Sequence, residues 1–283
     1  MSKTLVGMVT FGNLAFTKLT VQSVKDTTDR DIDFFIIVGK PGDVETTQWL
    51  IDNNIPHKCH SENMGFPYSL NDIYDYAWKL NDYDNLIITG NDVIAYPYCI
   101  DSLIDVADTF NYACISALQY DVKDLTVQYH DTNRFFSGSN KIFSDFSARP
   151  WDVFKGYSKD LSIADMQLYD IQNMCLYKKE VFEKVGYTDV AFFPAYFVDN
   201  DYARRIARSG IRSCTLTNAR FFHFWSRTIH QGSGGSNDKY FKNNERYYRT
   251  KWGGPFGQEK LTPNILIDSR EGEEQTVQHW RNS

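Results

Sequence analysis

Short apolar runs alternate with amphipathic stretches over the first 120 residues of the chain. The apolar runs at 4–11, 32–38, 84–89 and 112–120 have the length of buried strands. Continuous apolar runs of this kind are typical of strands that are covered on both faces. The pattern therefore predicts four strands of one sheet in this part of the chain.

Apolar residues recur at helical spacing between these strands. One helix begins at Phe66-Pro67 and another at Pro97, since proline favours the first turn of a helix. Their inward faces comprise Leu70, Ile73, Tyr74, Ala77 and Trp78 in the first and Ile100, Leu103, Ile104 and Ala107 in the second. Alternating strands and helices predict an α/β fold, Rossmann-like, with a mostly parallel central sheet and helices on both faces.

The second half of the chain has a less regular pattern. From about residue 121 to 170 it is aromatic and irregular, which fits either an excursion from the fold or substrate loops. Regular pattern then returns, with predicted strands at 172–177, 211–216 and 219–225 and predicted helices at 178–185 and 199–209. We expect a helical segment to follow at the C-terminal end.

The composition is that of a globular protein. Of 283 residues 42% are hydrophobic and 23% charged, with eight prolines and 17 glycines, which excludes a long disordered or collagen-like chain. No apolar run approaches the roughly 18 residues of a membrane span, and the first residues lack a signal-peptide pattern. We therefore expect a cytoplasmic protein without a membrane span. The five scattered cysteines predict reduced thiols, and the oligomeric state stays open.

Charge is distributed unevenly along the chain. The net charge is −6, whereas residues 203–251, the basic stretch, hold eleven lysines and arginines against two acidic residues. The basic stretch is either a solvated face or a surface for a phosphate-rich ligand. Its candidate phosphate contacts are Arg208, Arg212, Lys239, Lys242, Arg246 and Arg249. Trp252 either stacks on a base or sugar ring or belongs to the core face of a terminal helix.

Two carboxylate motifs could carry chemistry. Asp92 follows a predicted central strand, at the edge where open α/β sheets bind ligands, and could hold a divalent cation that bridges two phosphates. Its alternative role is to close a turn. Asp199 and Asp201 lie in the first turns of a predicted helix, where they are either N-caps or, in the case of Asp199, a proton acceptor.

A single histidine, His223, lies in the aromatic strand segment Phe221-Phe222-His223-Phe224-Trp225. A histidine in such a strand is either an ordinary core or edge residue or a ligand. The segment alone does not distinguish the two.

Taken in order, these motifs resemble the family-2 glycosyltransferases, whose GT-A fold binds nucleotide sugars. The resemblance extends from about residue 4 to residue 254. It is carried by Val9-Thr10-Phe11-Gly12-Asn13, Asn63-Met64-Gly65-Phe66 to Asn71, Gly90-Asn91-Asp92, Gly186-Tyr187-Thr188-Asp189, Val198-Asp199-Asn200-Asp201 to Arg205, His223, and Asn243-Asn244-Glu245 to Gly253-Gly254.

The resemblance implies how the chain is divided. Residues 1–120 would form the nucleotide-sugar-binding half, 121–228 the acceptor and catalytic half of the same GT-A domain, and 229–283 a C-terminal loop and helical tail. Asp92 and His223 would hold Mn²⁺ or Mg²⁺. The nucleotide diphosphate sugar would be bound by Thr10, Phe11, Asn63, Gly65, Asn71, Asn91 and Asp92.

The resemblance also implies a reaction, inverting hexosyl or pentosyl transfer to an acceptor hydroxyl. Asp199 would be the general base, with Asp201 and Arg205 as its positioning shell. The acceptor would be a saccharide or lipid-linked saccharide. The alternative is a hydroxymethylated pyrimidine in DNA, as for virus-encoded modifying enzymes, since the basic stretch would suit that polymer.

The sequence departs from the family pattern at three positions. Gly39 replaces an aspartate that helps hold the nucleobase, Gly90 replaces the first carboxylate of Asp-x-Asp, and Val198 replaces the glutamate of a Glu-Asp pair. Metal ligation would therefore rest on Asp92 and His223.

Two other classes of function compete with this interpretation. A non-catalytic module for nucleic acid or sugar would use Asp199 and Asp201 only as helix caps. A nucleotidyltransferase is disfavoured, because no glycine-rich, basic phosphate loop follows the first strand.

Overall fold

The computed structural model describes residues 2–120, 163–165, 173–224 and 238–282. Most of the irregular stretch at 121–170 lies outside these residues. The described strands are β1 (Thr4–Thr10), β2 (Ile32–Val38), β3 (His57–Cys59), β4 (Asn85–Gly90), β5 (Val93–Ala95), β6 (Cys114–Tyr120), β7 (Ile163–Asp165), β8 (Cys175–Lys178) and β9 (Ser213–His223). They form one sheet in the order β3-β2-β1-β4-β8-β6-β9-β5, and β7 pairs with β9.

The sheet is mixed, so the prediction of a mostly parallel sheet is wrong. The pairs β3–β2, β2–β1 and β1–β4 are parallel, as is the pair β6–β9. However, β8 lies between β4 and β6 and is antiparallel to both. β5 and β7 are also antiparallel to β9. The sequence pattern locates each apolar run but does not give its direction, because a buried strand is apolar in either orientation.

The described helices are α1 (Leu14–Thr27), α2 (Val44–Asp52), α3 (Gly65–Asp75), α4 (Cys99–Thr109), α5 (Lys179–Val185), α6 (Val198–Arg208), α7 (Asp238–Trp252) and α8 (Glu273–Asn282). The helices predicted from Phe66-Pro67, from Pro97 and at 178–185 and 199–209 lie close to their predicted positions, and the structure adds α2, which the pattern did not predict. A π-helical turn, Tyr76–Leu80, continues α3. The predicted C-terminal helical segment is present as α7 and α8. Among the described residues, no helix is both long and apolar enough to cross a membrane.

Helices cover both faces of the sheet, as the pattern predicts. Successive strand residues point to opposite faces, so Val6 packs in the hydrophobic cluster with Val24 of α1, while Leu5 packs in the other cluster with Ile73 of α3. All four side chains are fully buried. Because α6 adds Ile206 to the second cluster, the start of α6 is held against the sheet on that face.

The strands β1, β2, β3, β4, β6 and β9 all run in the same direction, so their C-terminal ends meet at one edge of the sheet. We call this edge the carboxyl edge. It comprises residues 11–13, 39–43, 60–64, 91–92 and 223–224. Side chains that are far apart in the sequence can therefore meet there.

Candidate functional site

Asp92 and His223 meet at the carboxyl edge. Asp92 lies between β4 and β5, and β5 pairs with the end of β9 so that Val93 is opposite His223. The backbone N–H of Phe224 donates to the carbonyl oxygen of Asp92 at 2.9 Å, which fixes the two segments together. As a result, Oδ1 of Asp92 lies 3.2 Å from Nε2 of His223, and both side chains keep some exposure, 10% and 17%.

A third side chain, Gln119 at the end of β6, orients the histidine. Nδ1 of His223 lies 3.2 Å from Oε1 of Gln119, an oxygen that can only accept a hydrogen bond. Nδ1 therefore carries hydrogen, which leaves Nε2 to face the Asp92 carboxylate. A proton on Nε2 or a cation held between the two groups makes that contact favourable. Sequence reasoning missed Gln119, whose only signal is its place at a strand end.

Gly90 lies where the resembled family has a carboxylate, and it leaves room for its neighbours. Its N–H donates to Oδ1 of Asn173 at 3.0 Å. A Cβ atom at residue 90 would lie 3.2 Å from Oδ1 of Asp92 and 3.5 Å from Oδ1 of Asn173. Asn173 precedes β8 and had no signal in the sequence, because it reaches the site only through the antiparallel placement of that strand. Among the described residues, no group of three His, Cys, Asp or Glu side chains is placed to hold a metal ion.

Two predicted donor contacts, Thr10 and Asn91, instead build the carboxyl edge from within. Both are buried. Nδ2 of Asn91 donates to Oγ1 of Thr10 at 3.2 Å and to Oγ1 of Thr17 at 3.3 Å. Oγ1 of Thr10 also donates to the carbonyl of Gly12 at 3.0 Å. These two side chains tie the loop after β1 to the loop after β4, so they do not offer a ligand contact in this conformation.

Asn71 is likewise not available to the donor. It is fully buried in α3, where Nδ2 donates to the carbonyl of Thr188 at 3.0 Å and to Oε1 of Glu273 at 2.6 Å. Its Oδ1 accepts the Thr188 N–H at 2.8 Å and the Thr188 hydroxyl at 2.7 Å. The prediction that Asn71 contacts the donor is therefore wrong. Asn71 has a structural role: it joins α3 to Thr188, which lies before α6, and to Glu273, the first residue of α8.

The remaining donor candidates stay at the carboxyl edge. Phe11 and Asn63 are half-buried, and Oδ1 of Asn63 accepts the N–H of Gly65 at 3.0 Å. Gly65 has φ +79°, and a Cβ there would lie 2.7 Å from the Phe193 ring and 3.1 Å from the carbonyl of Pro194. Only glycine allows so close an approach at this φ. The segment before α6 is thereby brought against the N-terminus of α3.

Asp199 lies in the first turn of α6, a few residues after the contact of Phe193 and Pro194 with Gly65. The N–H of Phe66 donates to the carbonyl of Pro194 at 2.6 Å, which places the approach to α6 near the carboxyl edge. Asp199 is half-buried, and burial raises the pKa of its carboxyl although the N–H groups of Asn200 and of Asp199 itself act in the opposite direction. A carboxylate with a raised pKa is a stronger proton acceptor.

Asp201 and Arg205, which were predicted to position Asp199, are fully buried. Nε of Arg205 donates to Oδ2 of Asp201 at 3.0 Å, while Oδ1 of Asp201 accepts from Nε1 of Trp252 at 2.9 Å and pairs with Nζ of Lys251 at 2.7 Å. Arg205 also donates to the carbonyl of Val185 at 2.6 Å. Neither side chain is exposed to a substrate here, so both stay a proposed positioning shell, and Trp252 belongs to the core.

In the described parts of the basic stretch, 203–224 and 240–251, the cations do not form one continuous surface. Arg212 directly precedes β9 and His223 ends it, so an extended strand separates them by roughly 30 Å. Arg212 instead stacks over Tyr112, with 4.5 Å between the guanidinium carbon and the ring centre. Arg208 ends α6, about 14 Å of helix away from Asp199. Both arginines therefore lie away from the carboxyl edge.

The cations of α7 are partly neutralised within the helix. Nη2 of Arg249 pairs with Oε1 of Glu245 at 2.7 Å, and Nη2 of Arg246 donates to Oδ1 of Asn243 at 3.3 Å. Lys242 is exposed. Lys239 lies in the first turn of α7, and its side chain lies outside the described residues. The positive charge on the surface of α7 is therefore smaller than the number of its basic residues suggests.

Comparison with known proteins places the fold. No protein-family model and no curated protein matches the sequence. Among solved structures 284 chains match. One is the mannosyltransferase PcManGT from Pyrobaculum calidifontis in complex with GDP-Man and Mn²⁺, with a TM-score of 0.54 and 13% identity over 87% of this chain and 70% of that chain. At this identity the likeness concerns the fold, so the chain shares the fold of a mannosyltransferase.

Proposed function

We propose that this protein is an inverting glycosyltransferase that moves a sugar from a nucleotide diphosphate sugar to an acceptor hydroxyl. The observation that carries the proposal is the contact between Asp92 and His223 at 3.2 Å on the carboxyl edge. The fold supports it, because the mannosyltransferase that shares the fold was solved with GDP-Man and Mn²⁺. The resemblance of the sequence motifs supports it independently.

The residues present fit a divalent cation. Carboxylate oxygen and imidazole nitrogen together suit Mn²⁺. Gln119 fixes the imidazole by accepting a hydrogen bond from Nδ1, as groups behind a metal-bound histidine commonly do. Asp92 and His223 would hold Mn²⁺ or Mg²⁺, with diphosphate and water oxygens as the other ligands. When bound, the cation would offset charge on the leaving diphosphate.

Asp199 takes the part of general base in this proposal. Burial raises the pKa of its carboxyl, which strengthens it as a proton acceptor for a sugar hydroxyl. A single displacement by that hydroxyl at the anomeric carbon inverts its configuration. The buried pair of Asp201 and Arg205 holds α6, and thereby Asp199, in place.

The acceptor is a saccharide or lipid-linked saccharide in this proposal. A DNA acceptor would need a continuous row of cations along its phosphates, because phosphate neutralisation dominates affinity for DNA. Arg212 stacks on Tyr112 far from the carboxyl edge, and Arg249 is paired with Glu245. These contacts favour the saccharide over DNA.

A thermal-shift screen of nucleotide sugars tests the proposal. A donor at one hundred times its Kd stabilises the chain by about 2.7 kcal/mol, which corresponds to about 4–5 °C for a protein of this length. We expect that shift with GDP-mannose or another nucleotide sugar in Mn²⁺ or Mg²⁺, and its loss in EDTA. Turnover of the donor in the presence of a saccharide acceptor then separates an enzyme from a non-catalytic sugar-binding module.

The matched variants are Asp92→Asn, His223→Ala and Asp82→Asn. Asp82 is an exposed aspartate in a surface pair with Lys179, so its loss controls for the removal of one negative charge. We expect Asp92→Asn and His223→Ala to lose the metal-dependent part of the shift, and Asp82→Asn to keep it. The proposal fails if no nucleotide sugar stabilises the wild type, or if Asp92→Asn responds to metal as the wild type does.

A further inference from the structure

Three aromatic rings meet beside the start of α6. Tyr196 and Phe197 directly precede this helix, and Phe241 of α7 lies with its ring centre 5.4 Å from that of Tyr196 and 5.2 Å from that of Phe197. We call these three residues the aromatic cluster. Phe241 is 44% exposed, whereas Tyr248 and Trp252 on the same helix are fully buried. The aromatic cluster is thus the outward-facing part of an otherwise internal aromatic packing.

The backbone of the aromatic cluster is held in an unusual conformation. Tyr196 and Phe197 have φ values of 68° and 62°, two successive left-handed residues that are not glycine. Such a conformation is unfavourable for residues that carry a Cβ atom and persists only where the surroundings hold it. The structure therefore maintains these two rings in place at a cost in stability.

Asn244 supplies the support. This residue of α7 is buried, and its Nδ2 donates to the carbonyl of Phe192 at 2.9 Å, to that of Tyr196 at 3.3 Å and to that of Ala195. One amide thereby fixes the turn that leads into α6. The same helix supplies Phe241, so the third ring and the turn that carries the other two are positioned by one element.

The aromatic cluster is two residues from Asp199. The carbonyl of Phe197 accepts the N–H of Asp201 at 2.9 Å, so Phe197 is part of the first turn that carries Asp199. If Asp199 is the general base, the acceptor hydroxyl lies at the start of α6, where these rings also lie. The C–H face of a pyranose is apolar and packs on aromatic rings, which provide a large apolar contact area.

We infer that the aromatic cluster is an acceptor subsite that binds the C–H face of a pyranose ring. This inference rests on the proposed function and specifies its acceptor. The choice of ligand rests on the rings and not on the cations: Arg249 is paired with Glu245, whereas Arg246, which donates to the neutral side chain of Asn243, keeps its charge.

Saturation-transfer difference NMR tests the subsite without requiring turnover. The probes are methyl α-D-mannopyranoside and methyl β-D-glucopyranoside, each mixed with the wild type, with Phe241→Ala and with Phe110→Ala. Phe110 is the matched control, an aromatic side chain that is 42% exposed at the end of α4. We expect saturation of ring C–H protons with the wild type and Phe110→Ala, and about fivefold weaker binding for Phe241→Ala, the scale of one lost aromatic contact.

The outcomes separate the subsite from the proposed function. Equal saturation with Phe241→Ala and the wild type, or none with the wild type for either glycoside, overturns the subsite. Saturation of a hydroxymethylcytosine oligonucleotide that depends on Phe241, without saturation of the glycosides, overturns it in favour of a nucleobase. Glycoside binding that depends on Phe241, in a protein that no nucleotide sugar stabilises, supports the subsite and refutes the transferase.

Discussion

Replacement of Arg205 by methionine removes a buried cation from the support of α6. The guanidinium is fully buried and donates to Oδ2 of Asp201 at 3.0 Å. It also donates to the carbonyls of Val185 at 2.6 Å, Tyr187 at 2.8 Å and Ile265 at 3.3 Å. Methionine fills part of the volume but donates no hydrogen bond, so one carboxylate oxygen and three carbonyl oxygens lose this partner.

The expected cost is about 3–5 kcal/mol, the usual loss when one partner of a buried ion pair is removed. Asp201 keeps Lys251 and Trp252 as partners, which favours the lower half of that range. For 283 residues the unfolding entropy is about 0.6 kcal/mol per kelvin, so a cost of about 3–4 kcal/mol should lower Tm by about 5–7 °C.

The matched control is Arg208→Met on the same helix. Arg208 is exposed, its Nη1 donates to Oγ1 of Thr262 at 2.5 Å and its guanidinium lies over the ring of Trp252, so its replacement should change the stability by no more than about 1 kcal/mol. Differential scanning calorimetry of both variants measures the difference. A Tm for Arg205→Met within 1 °C of the control would refute the reasoning that this arginine is a structural residue.

Three further predictions concern acid stability, backbone packing and the general base. Burial alone would raise the pKa of Asp72, but hydrogen bonds from His60, Lys58 and Arg270 outweigh it and lower the pKa to about 2. The roughly 2 kcal/mol of stability that this carboxylate contributes is therefore present above pH 4 and lost as pH falls towards 2. In acid titrations followed by circular dichroism, Asp72→Asn should lack that part of the unfolding. Gly186→Ala should lower Tm far more than Gly210→Ala. Both glycines have positive φ, but of the two only Gly186 would bring a Cβ against a carbonyl oxygen, that of Ile267. Equal Tm values for the two variants would contradict this packing. Asp199→Asn should slow transfer by about 10²–10⁴-fold while donor binding by calorimetry is unchanged, and wild-type turnover would exclude Asp199 as the base.

The sequence predicted the elements better than their arrangement. The apolar run at 84–89 corresponds to β4 and the helix predicted at 199–209 to α6, because both follow from local periodicity. The antiparallel direction of β8 depends on how the chain returns to the sheet, which no local pattern encodes. The sequence analysis therefore predicted more parallel strand pairs than the sheet has.

The candidate site divides in the same way. His223 and Asp92 come together because both lie at strand ends on one edge, which the family resemblance implied and the local pattern alone did not. Asn71 was misassigned because its partners Thr188 and Glu273 lie 117 and 202 residues further along the chain. A polar residue in a motif can bind a ligand or satisfy a buried backbone group, and only its tertiary partners distinguish the two.

An EPR titration of Mn²⁺ tests the central claim that Asp92 and His223 hold the cation of a nucleotide-sugar site. The signal of free Mn²⁺ reports how much metal the protein takes up, with and without GDP-mannose, in the wild type, Asp92→Asn, His223→Ala and the control Asp82→Asn. The account predicts that the wild type and Asp82→Asn bind one Mn²⁺ more tightly when the nucleotide sugar is present, and that the other two variants lose this binding. Mn²⁺ uptake by Asp92→Asn and His223→Ala equal to that of the wild type would contradict it.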